Sequence, residues 1–405
     1  MNKQDLAAEY VDIIIIGAGA AGLGLLLELD NIDDQHSVKV LEQKHSPIND
    51  RIWSFWRPTQ FQHKDALPNY LQALIAKEWS QWSLSTNCEQ YMMRDSQYHY
   101  CSIRAENFSE LALSKASNSV LRDIEFNSEV VSVANCNDQF VVCTANQRFV
   151  AKRVVDTRPP PINKEHKGLV QCFYGEEVRV DADTFDVDSA QLMTQLKHSD
   201  LGIEFIYILP FGARHALIEF TCFSLSPVAK DTMKKHLHKF ISDSLQHKAH
   251  SVLREESAIL PMYTIVPNHH ASTNYTYAGI AGGAMRAATG YSFLSSQRWA
   301  HLSAAKINNN QRLGIDSRIN SMYRYMDQIM LNVLREDISM GVIIFEQIFK
   351  RVGPNSFARF MTERANTLDI LAIIWAMPKR VFMRAAFLLL SNKLGLSYKD
   401  GGVNK

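Results

Sequence analysis

The sequence predicts a mixed α/β fold, with a Rossmann-like unit at its start, a strand-rich middle and a helical C-terminal region. Three observations carry the prediction. An apolar, β-branched run, Val11 to Ile16, leads straight into a glycine-rich turn and a helical stretch. From Gly168 to Met262 the pattern is strand-rich, with one helix near Asp231 to Gln246. From about Gln311 the chain looks helical throughout.

The first run reads as a buried parallel strand. Gly17-Ala18-Gly19-Ala20-Ala21-Gly22 follows it, and a helix runs over about Ala20 to Leu29. A second strand, Ser37 to Leu41, ends at Glu42, 20 residues after Gly22. This is a dinucleotide fingerprint in its proper context. Gly17 makes the tight turn, Gly19 lets the backbone approach a pyrophosphate, and Gly22 lets helix and strand pack closely. The helix N-terminus faces the phosphates, and Glu42 is placed for ribose hydroxyls. The fingerprint alone does not separate FAD from NAD. FAD is favoured because the motif opens the chain and a second glycine-rich segment near residue 280 offers a contact to a long cofactor.

Asn49 to Trp56 is an aromatic-rich loop just past the second strand. Residues 78 to 101 carry Trp79, Trp82, Tyr91, Tyr98 and Tyr100 at loosely alternating spacing, which suggests antiparallel strands. Phe108 to Ser117 looks helical, and Ile124 to Val133, Gln139 to Thr144 and Arg148 to Val155 read as strands. Pro159-Pro160-Pro161 stops the last of these and marks a boundary. Ile203 to Leu209 and His215 to Phe223 flank PFGAR and pair as a hairpin. Tyr275 to Ile280 is a strand candidate leading into AGGAMRAATGYSF, whose small residues permit close approach of a ligand. A helix over Ser292 to about Asn308 follows.

One carboxylate stands out. Glu219 lies in LPFGARHALIEFTCFS, sharing a strand face with Leu217, Thr221 and Phe223. The opposite face carries Ala216, Ile218, Phe220 and Cys222. Both faces are apolar, so the strand is expected to be covered on both sides and the Glu219 carboxyl raised by desolvation. An exposed or salt-bridged Glu219 is the alternative.

The bulk numbers exclude some functions. The 405 residues are 46% hydrophobic and 21% charged, with a formal net charge of +1, which gives no reason to expect a nucleic-acid binder. The six cysteines form no C-x-x-C pair and read as reduced thiols of a cytoplasmic protein. Asp12 interrupts the apolar start, so no signal peptide is expected. No segment reaches about 18 uninterrupted apolar residues, so no membrane-spanning helix is expected. The pairs His236/His238 and His269/His270 lack further ligands at metal spacing, and no metal is expected. The helix after Pro378 carries a stripe of Lys379, Arg380, Arg384 and Ser391, and could rest on an anionic membrane surface or pack as an ordinary surface helix.

Taken together, IIIIGAGAAG, NDRIWSFW (49–56), VVDTRP (154–159), LPFGARHALIEFT (209–221) and AGGAMRAATGYSF (281–293) resemble the bacterial flavin-dependent lycopene β-cyclase family. The segments occur in family order across about the first 300 residues. The resemblance implies a Rossmann-like FAD-binding domain (8–160 and 265–310, with a strand-rich insertion near 60–100), interrupted by an antiparallel-sheet substrate domain (161–264). Residues 311–405 form the helical remainder. It implies reduced FAD as the active form, NADPH or NADH as reductant, lycopene and γ-carotene as substrates, and a cytoplasmic protein peripheral to the inner membrane. Its acid falls on Glu219. The candidate cofactor contacts are Gly17, Gly19, Gly22, Glu42, Arg51, Asp156, Gly282, Gly283, Thr289 and Gly290. Trp53, Phe55, Trp56, Tyr207, Phe223, Tyr291 and Phe293 are candidates to line the substrate site and face a carbocation. The implied reaction is acid-catalysed and non-redox, lycopene to β-carotene. A redox flavoenzyme of the same fold (an isoprenoid reductase or hydroxylase) and a non-catalytic carotenoid or flavin carrier are the alternatives.

Overall fold

The computed structural model describes residues 8–32, 35–47, 51–59, 68–160, 168–245, 248–265, 274–311, 313 and 321–393. Asn49, Asp50, Pro161, Gln246, His269 and His270, named above, lie outside them.

The apolar start forms β1 (Ala8–Ile16), and α1 (Ala20–Ile32) follows the glycine turn. Next come β2 (Val38–Leu41), β3 (Ile52–Pro58), α2 (Asn69–Ala73), β4 (Ile75–Trp79), β5 (Gln81–Ser85), β6 (Gln90–Arg94), β7 (Tyr98–Arg104) and α3 (Ala105–Ser117). Then β8 (Arg122–Glu125), β9 (Ser132–Cys136), β10 (Gln139–Cys143) and β11 (Arg148–Asp156) complete the first part of the chain. The middle holds β12 (Leu169–Val180), β13 (Ser189–Ser199), β14 (Gly202–Gly212), β15 (His215–Ser224), α4 (Lys230–Leu245) and β16 (His250–Met262). After it come β17 (Tyr275–Tyr277), α5 (Phe293–Asn308), α6 (Ser321–Glu336), α7 (Met340–Arg351), α8 (Pro354–Met361), α9 (Thr367–Ala376) and α10 (Lys379–Lys393).

These elements build three sheets. In the first, β1 pairs in parallel with β2 and β11, β2 pairs with β8, and the β9–β10 hairpin extends the β11 edge. Ile13 and Ile15 pack under α1, and Ile14 and Ile16 pack on the opposite side with Val154, which is why β1 reads as continuously apolar. The second sheet runs β16-β12-β15-β14-β13-β5-β6. All its pairings are antiparallel except β13 with β5. One face, including Tyr174, Ile218 and Phe220, is covered by Leu237 and Ile241 of α4. The other face, including Leu217 and Phe223, meets Trp56, Tyr100 and the C-terminal helices. The third sheet, β3-β7-β4, stands between the other two.

The mixed α/β class, the βαβ start, the hairpin over 202–224 and the helical tail hold. Three expectations change. The aromatic-rich segment ending at Trp56 is not a loop throughout, because Ile52 to Pro58 pairs antiparallel with β7 as β3. Ile124 to Val133 is not one strand, because Asn127 takes a left-handed φ of 56° and the chain bends to bond Lys44 and Glu42 through Asn127 N and Ser128 N. The strand from Tyr275 stops at Tyr277, since Gly279 adopts a φ of 62° that extended backbone does not allow. Among the described residues no helix is long and apolar enough to cross a membrane.

Candidate functional site

A cleft of about 530 Å³ lies where the carboxyl ends of β1 and β11 face the side of the second sheet turned away from α4. Gly17 and Gly19 form its floor at the first sheet. Gly17 takes a φ of 101°, which suits glycine, and it turns the chain out of β1 so that α1 can start. At Gly19 a Cβ would meet nothing within 4 Å, so the loop presents bare backbone to open space. Gly22 lies away from the cleft: a Cβ there would sit 2.1 Å from the Gly17 carbonyl oxygen, so its role is close packing of α1 on the turn. The Glu42 carboxylate lines the cleft and accepts the Ala18 N–H at 2.6 Å and the Lys44 N–H at 3.0 Å. It thereby pins the glycine loop while facing the cavity.

Among the remaining candidate cofactor contacts, Arg51, Thr289 and Gly290 line the cleft. Asp156 does not. Arg158 and Tyr275 clamp it, with Arg158 Nη2 and the Tyr275 hydroxyl each donating at 2.6 Å, and it is Thr157, Arg158 and Pro159 that reach the cavity. Gly282 and Gly283 also fall outside, because the turn there folds back on Ala278 and Gly279; Gly279 and Ile280 line the cleft instead. The strand assignment over Tyr275 to Ile280 hid them.

The second sheet supplies the apolar wall. Phe173, Tyr207, Leu209, Leu217 and Leu260 face inward, with Trp53, Tyr100, Tyr291 and Phe293 opposite. Phe55, Trp56 and Phe223 are not on that wall. Phe55 stacks on Phe293 at 5.1 Å, Trp56 packs on Tyr100 at 4.5 Å, and Phe223 packs edge-on against Phe205 at 5.4 Å. They support the lining rather than form it. Tyr100 and Phe173 were missed because strand alternation does not say which of two buried faces holds a cavity. The Tyr100 and Tyr291 hydroxyls are 3.0 Å apart, and the Tyr207 ring lines the cleft with them. Burial pushes all three phenols above their ordinary range, so they stay neutral.

Glu219 sits on this wall, 8% exposed. The Thr221 hydroxyl donates to its Oε1 at 2.8 Å. Burial, and then the adjacent Glu256, raise its carboxyl well above the usual range. An acid held neutral in an apolar cleft can deliver a proton at neutral pH. Of the histidines, His238 lies at the surface with Nε2 2.7 Å from Glu176, and among the described residues no cluster of three or more His, Cys, Asp or Glu could hold a metal ion.

The cleft also carries unmet polar atoms of the kind a bound ligand satisfies. The Thr289 Oγ1 and Gln171 Oε1 are buried in its lining without a hydrogen-bond partner among the described residues. Such atoms are costly unless a ligand meets them.

The family model described as "Lycopene cyclase protein" matches residues 12–387, well beyond the first 300 that carry the motif resemblance. No curated protein gives a significant sequence match. Several solved structures share the fold. A geranylgeranyl bacteriochlorophyll reductase-like protein from Thermoplasma acidophilum is 13% identical, with a TM-score of 0.60 over 94% of this chain and 100% of that one. A flavoprotein/dehydrogenase from Cytophaga hutchinsonii is 12% identical, with a TM-score of 0.62 over 95% and 100%. The halogenase PltM, solved with phloroglucinol and FAD, is 11% identical, with a TM-score of 0.58 over 96% and 93%. The fold is thus that of Rossmann-like flavoproteins.

Proposed function

The chain belongs to the lycopene cyclase family, and from that premise we propose that it converts lycopene, through γ-carotene, to β-carotene by a non-redox, acid-catalysed cyclisation with reduced FAD bound. The enzyme is then an isomerase. The observation that carries the reading is Glu219: a buried carboxyl, neutral by its surroundings, on the apolar wall of a cleft whose other end holds a dinucleotide fingerprint.

An alkene is a very weak base, so its proton donor must be neutral, dry and held against it. Glu219 protonates the terminal trisubstituted double bond of the substrate. The neighbouring double bond attacks the tertiary cation, and the ring closes. Loss of a ring proton to the Glu219 carboxylate restores the acid, and atoms balance with no change in oxidation state. Trp53, Tyr100, Tyr207, Tyr291 and Phe293 line the path of the cation and offer ring faces at about 0.5–2 kcal/mol each. Gly17, Gly19, Glu42, Thr289 and Gly290 would hold the flavin. When bound and reduced, the cofactor would supply negative charge that favours a cation in a low-dielectric site. NADPH or NADH would serve only to keep it reduced.

A membrane-dissolved substrate calls for a membrane-facing surface, and α9 and α10 offer one. Leu368, Leu371, Trp375, Met383, Phe387 and Leu390 are exposed there, beside the exposed Arg380 and Arg384. A protein on the cytoplasmic face of the inner membrane fits this arrangement.

The test is expression in a lycopene-accumulating bacterium followed by pigment chromatography. Cyclic carotenes are expected from the native chain and none from Glu219→Gln, which keeps its flavin. Unchanged lycopene with the native chain removes the reading. Consumption of NADPH in step with product assigns a redox reaction instead.

A further inference from the structure

Strand register sets a second acid beside Glu219. On β12, Gly175 pairs with Glu219 of β15 on one side and with Glu256 of β16 on the other. Tyr207 of β14 continues the same row. Side chains two strands apart do not normally meet. Here the middle position is glycine, and a Cβ on it would come within 3.1 Å of Glu219 Cβ and 3.2 Å of its Cγ. The missing side chain leaves room for the two carboxyls to approach each other across β12. Both line the cleft.

The surroundings of the two acids differ. Glu256 Oε2 accepts Arg254 Nη1 at 2.6 Å and the Ile52 N–H at 3.1 Å. Arg254 is itself tied by Nε to Glu177 at 2.7 Å, and Arg104 and His215 hold Glu177 from the other side. Among the described residues, the donor bound to Glu219 is the Thr221 hydroxyl, with no cation on it. Among the described residues, the titratable groups facing it from other elements are Tyr100 and Tyr207, both neutral and the first bonded to Tyr291, together with Glu256 and Arg254 of β16. Burial disfavours charge on both acids, but the cation and two bound donors are on the Glu256 side.

We propose that Glu219 and Glu256 form a carboxyl pair holding one proton, with the proton on Glu219 and Glu256 kept as the carboxylate by Arg254. Glu256 is then a positioning residue: it accepts the Glu219 hydrogen bond and keeps Glu219 from ionising, because two carboxylates in contact in a dry cleft repel. During turnover the Glu219 O–H bond breaks as a C–H bond forms at the alkene, and it re-forms when the ring proton leaves. Glu256 neither gains nor loses a proton. The use of the proton rests on the cyclase reading, whereas its location does not.

The test compares the pH dependence of cyclisation by reduced holoenzyme, with lycopene in liposomes, for the native chain and Glu256→Gln. The variant keeps shape but removes the negative charge and leaves Arg254 unopposed beside Glu219. Its alkaline limb is expected to move down by about one pH unit or more, so that its rate relative to native falls about tenfold further between pH 6 and pH 8. Parallel profiles, or inactivity at every pH with flavin fully bound, overturn the pair. If Glu256→Gln fails to hold flavin, Gly175→Ala serves, since it keeps both acids and forces them apart; the same shift is expected. Infrared difference spectra of native against Glu219→Gln holoenzyme give an independent reading. A carboxylic-acid carbonyl band is expected to persist at pH 8 in the native protein, and its absence overturns the pair. That measurement needs no turnover, so a native chain that makes no cyclic product, yet shows the band, refutes the cyclase reading alone.

Discussion

Glu219 weakens the fold as pH rises. Its raised carboxyl keeps a proton in the folded chain that the unfolded chain releases above about pH 4.3. The folded state therefore binds more protons, and stability falls as pH rises from that value toward the raised native one, at up to about 1.4 kcal/mol per pH unit. Glu219→Gln removes this slope, and its amide can still donate to Glu256. The variant is expected to melt with the native chain near pH 4 and above it at pH 8, with the gap widening in between; a constant gap across that range would show that Glu219 is not held protonated. At this scale the sequence was half legible. Glu219 stood out because strand alternation set it between apolar neighbours. Glu256 did not, because Arg254-Glu255-Glu256 reads as a solvated edge and only the lateral order of β15, β12 and β16 brings it inward. No local pattern carries that order.

The glycine-rich turn over residues 279–290 is held by a helix far along the chain. Arg286, wholly buried, is gripped by Asp327 of α6 through Nε at 2.9 Å and Nη2 at 2.7 Å, and lies over the rings of Tyr323 and Phe360. The segment could be read as a cofactor turn from its small residues. The anchor could not, since nothing in the spacing of Arg286 and Asp327 pairs them. Removing one partner leaves a charge in the core, at about 3–5 kcal/mol. Arg286→Met is expected to cost that much in urea unfolding. It should also lower flavin retention, because Gly279, Thr289 and Gly290 lose their support. Pairing it with Asp327→Leu should recover most of the stability. If the single and double variants are equally unstable, the ion pair is not what fixes the turn. The same contact explains the helical tail, which the sequence showed as helices without a purpose: α6 buttresses the turn, and α7 and α8 close the apolar side of the second sheet.

At the scale of the whole molecule, the tail also sets which surface is left uncovered. Asn366 and Asp369 cap α9 reciprocally, and Lys379 Nζ binds the carbonyls of Ile374 and Trp375 at the other end of that helix, so α9 is fixed independently of any partner. Its outward face still shows Trp375 at 73% exposure, and α10 shows Phe387 at 69%. The basic stripe of α10 was legible in the sequence but this face was not, because period alone cannot say which side of a helix the core takes. Burying a large apolar side chain in lipid is worth about 1.5–3 kcal/mol, and each basic residue near an anionic surface adds about 1 kcal/mol. Trp375→Asp with Phe387→Asp is therefore expected to weaken binding to phosphatidylglycerol-containing vesicles by well over tenfold in co-sedimentation. Arg380→Gln with Arg384→Gln should lose only the part that salt also removes. Neither pair touches the cleft, so both should cyclise lycopene in detergent at the native rate and differ only when it is offered in bilayers. Equal vesicle binding by all three proteins would assign the exposed face of α9 and α10 to something other than lipid.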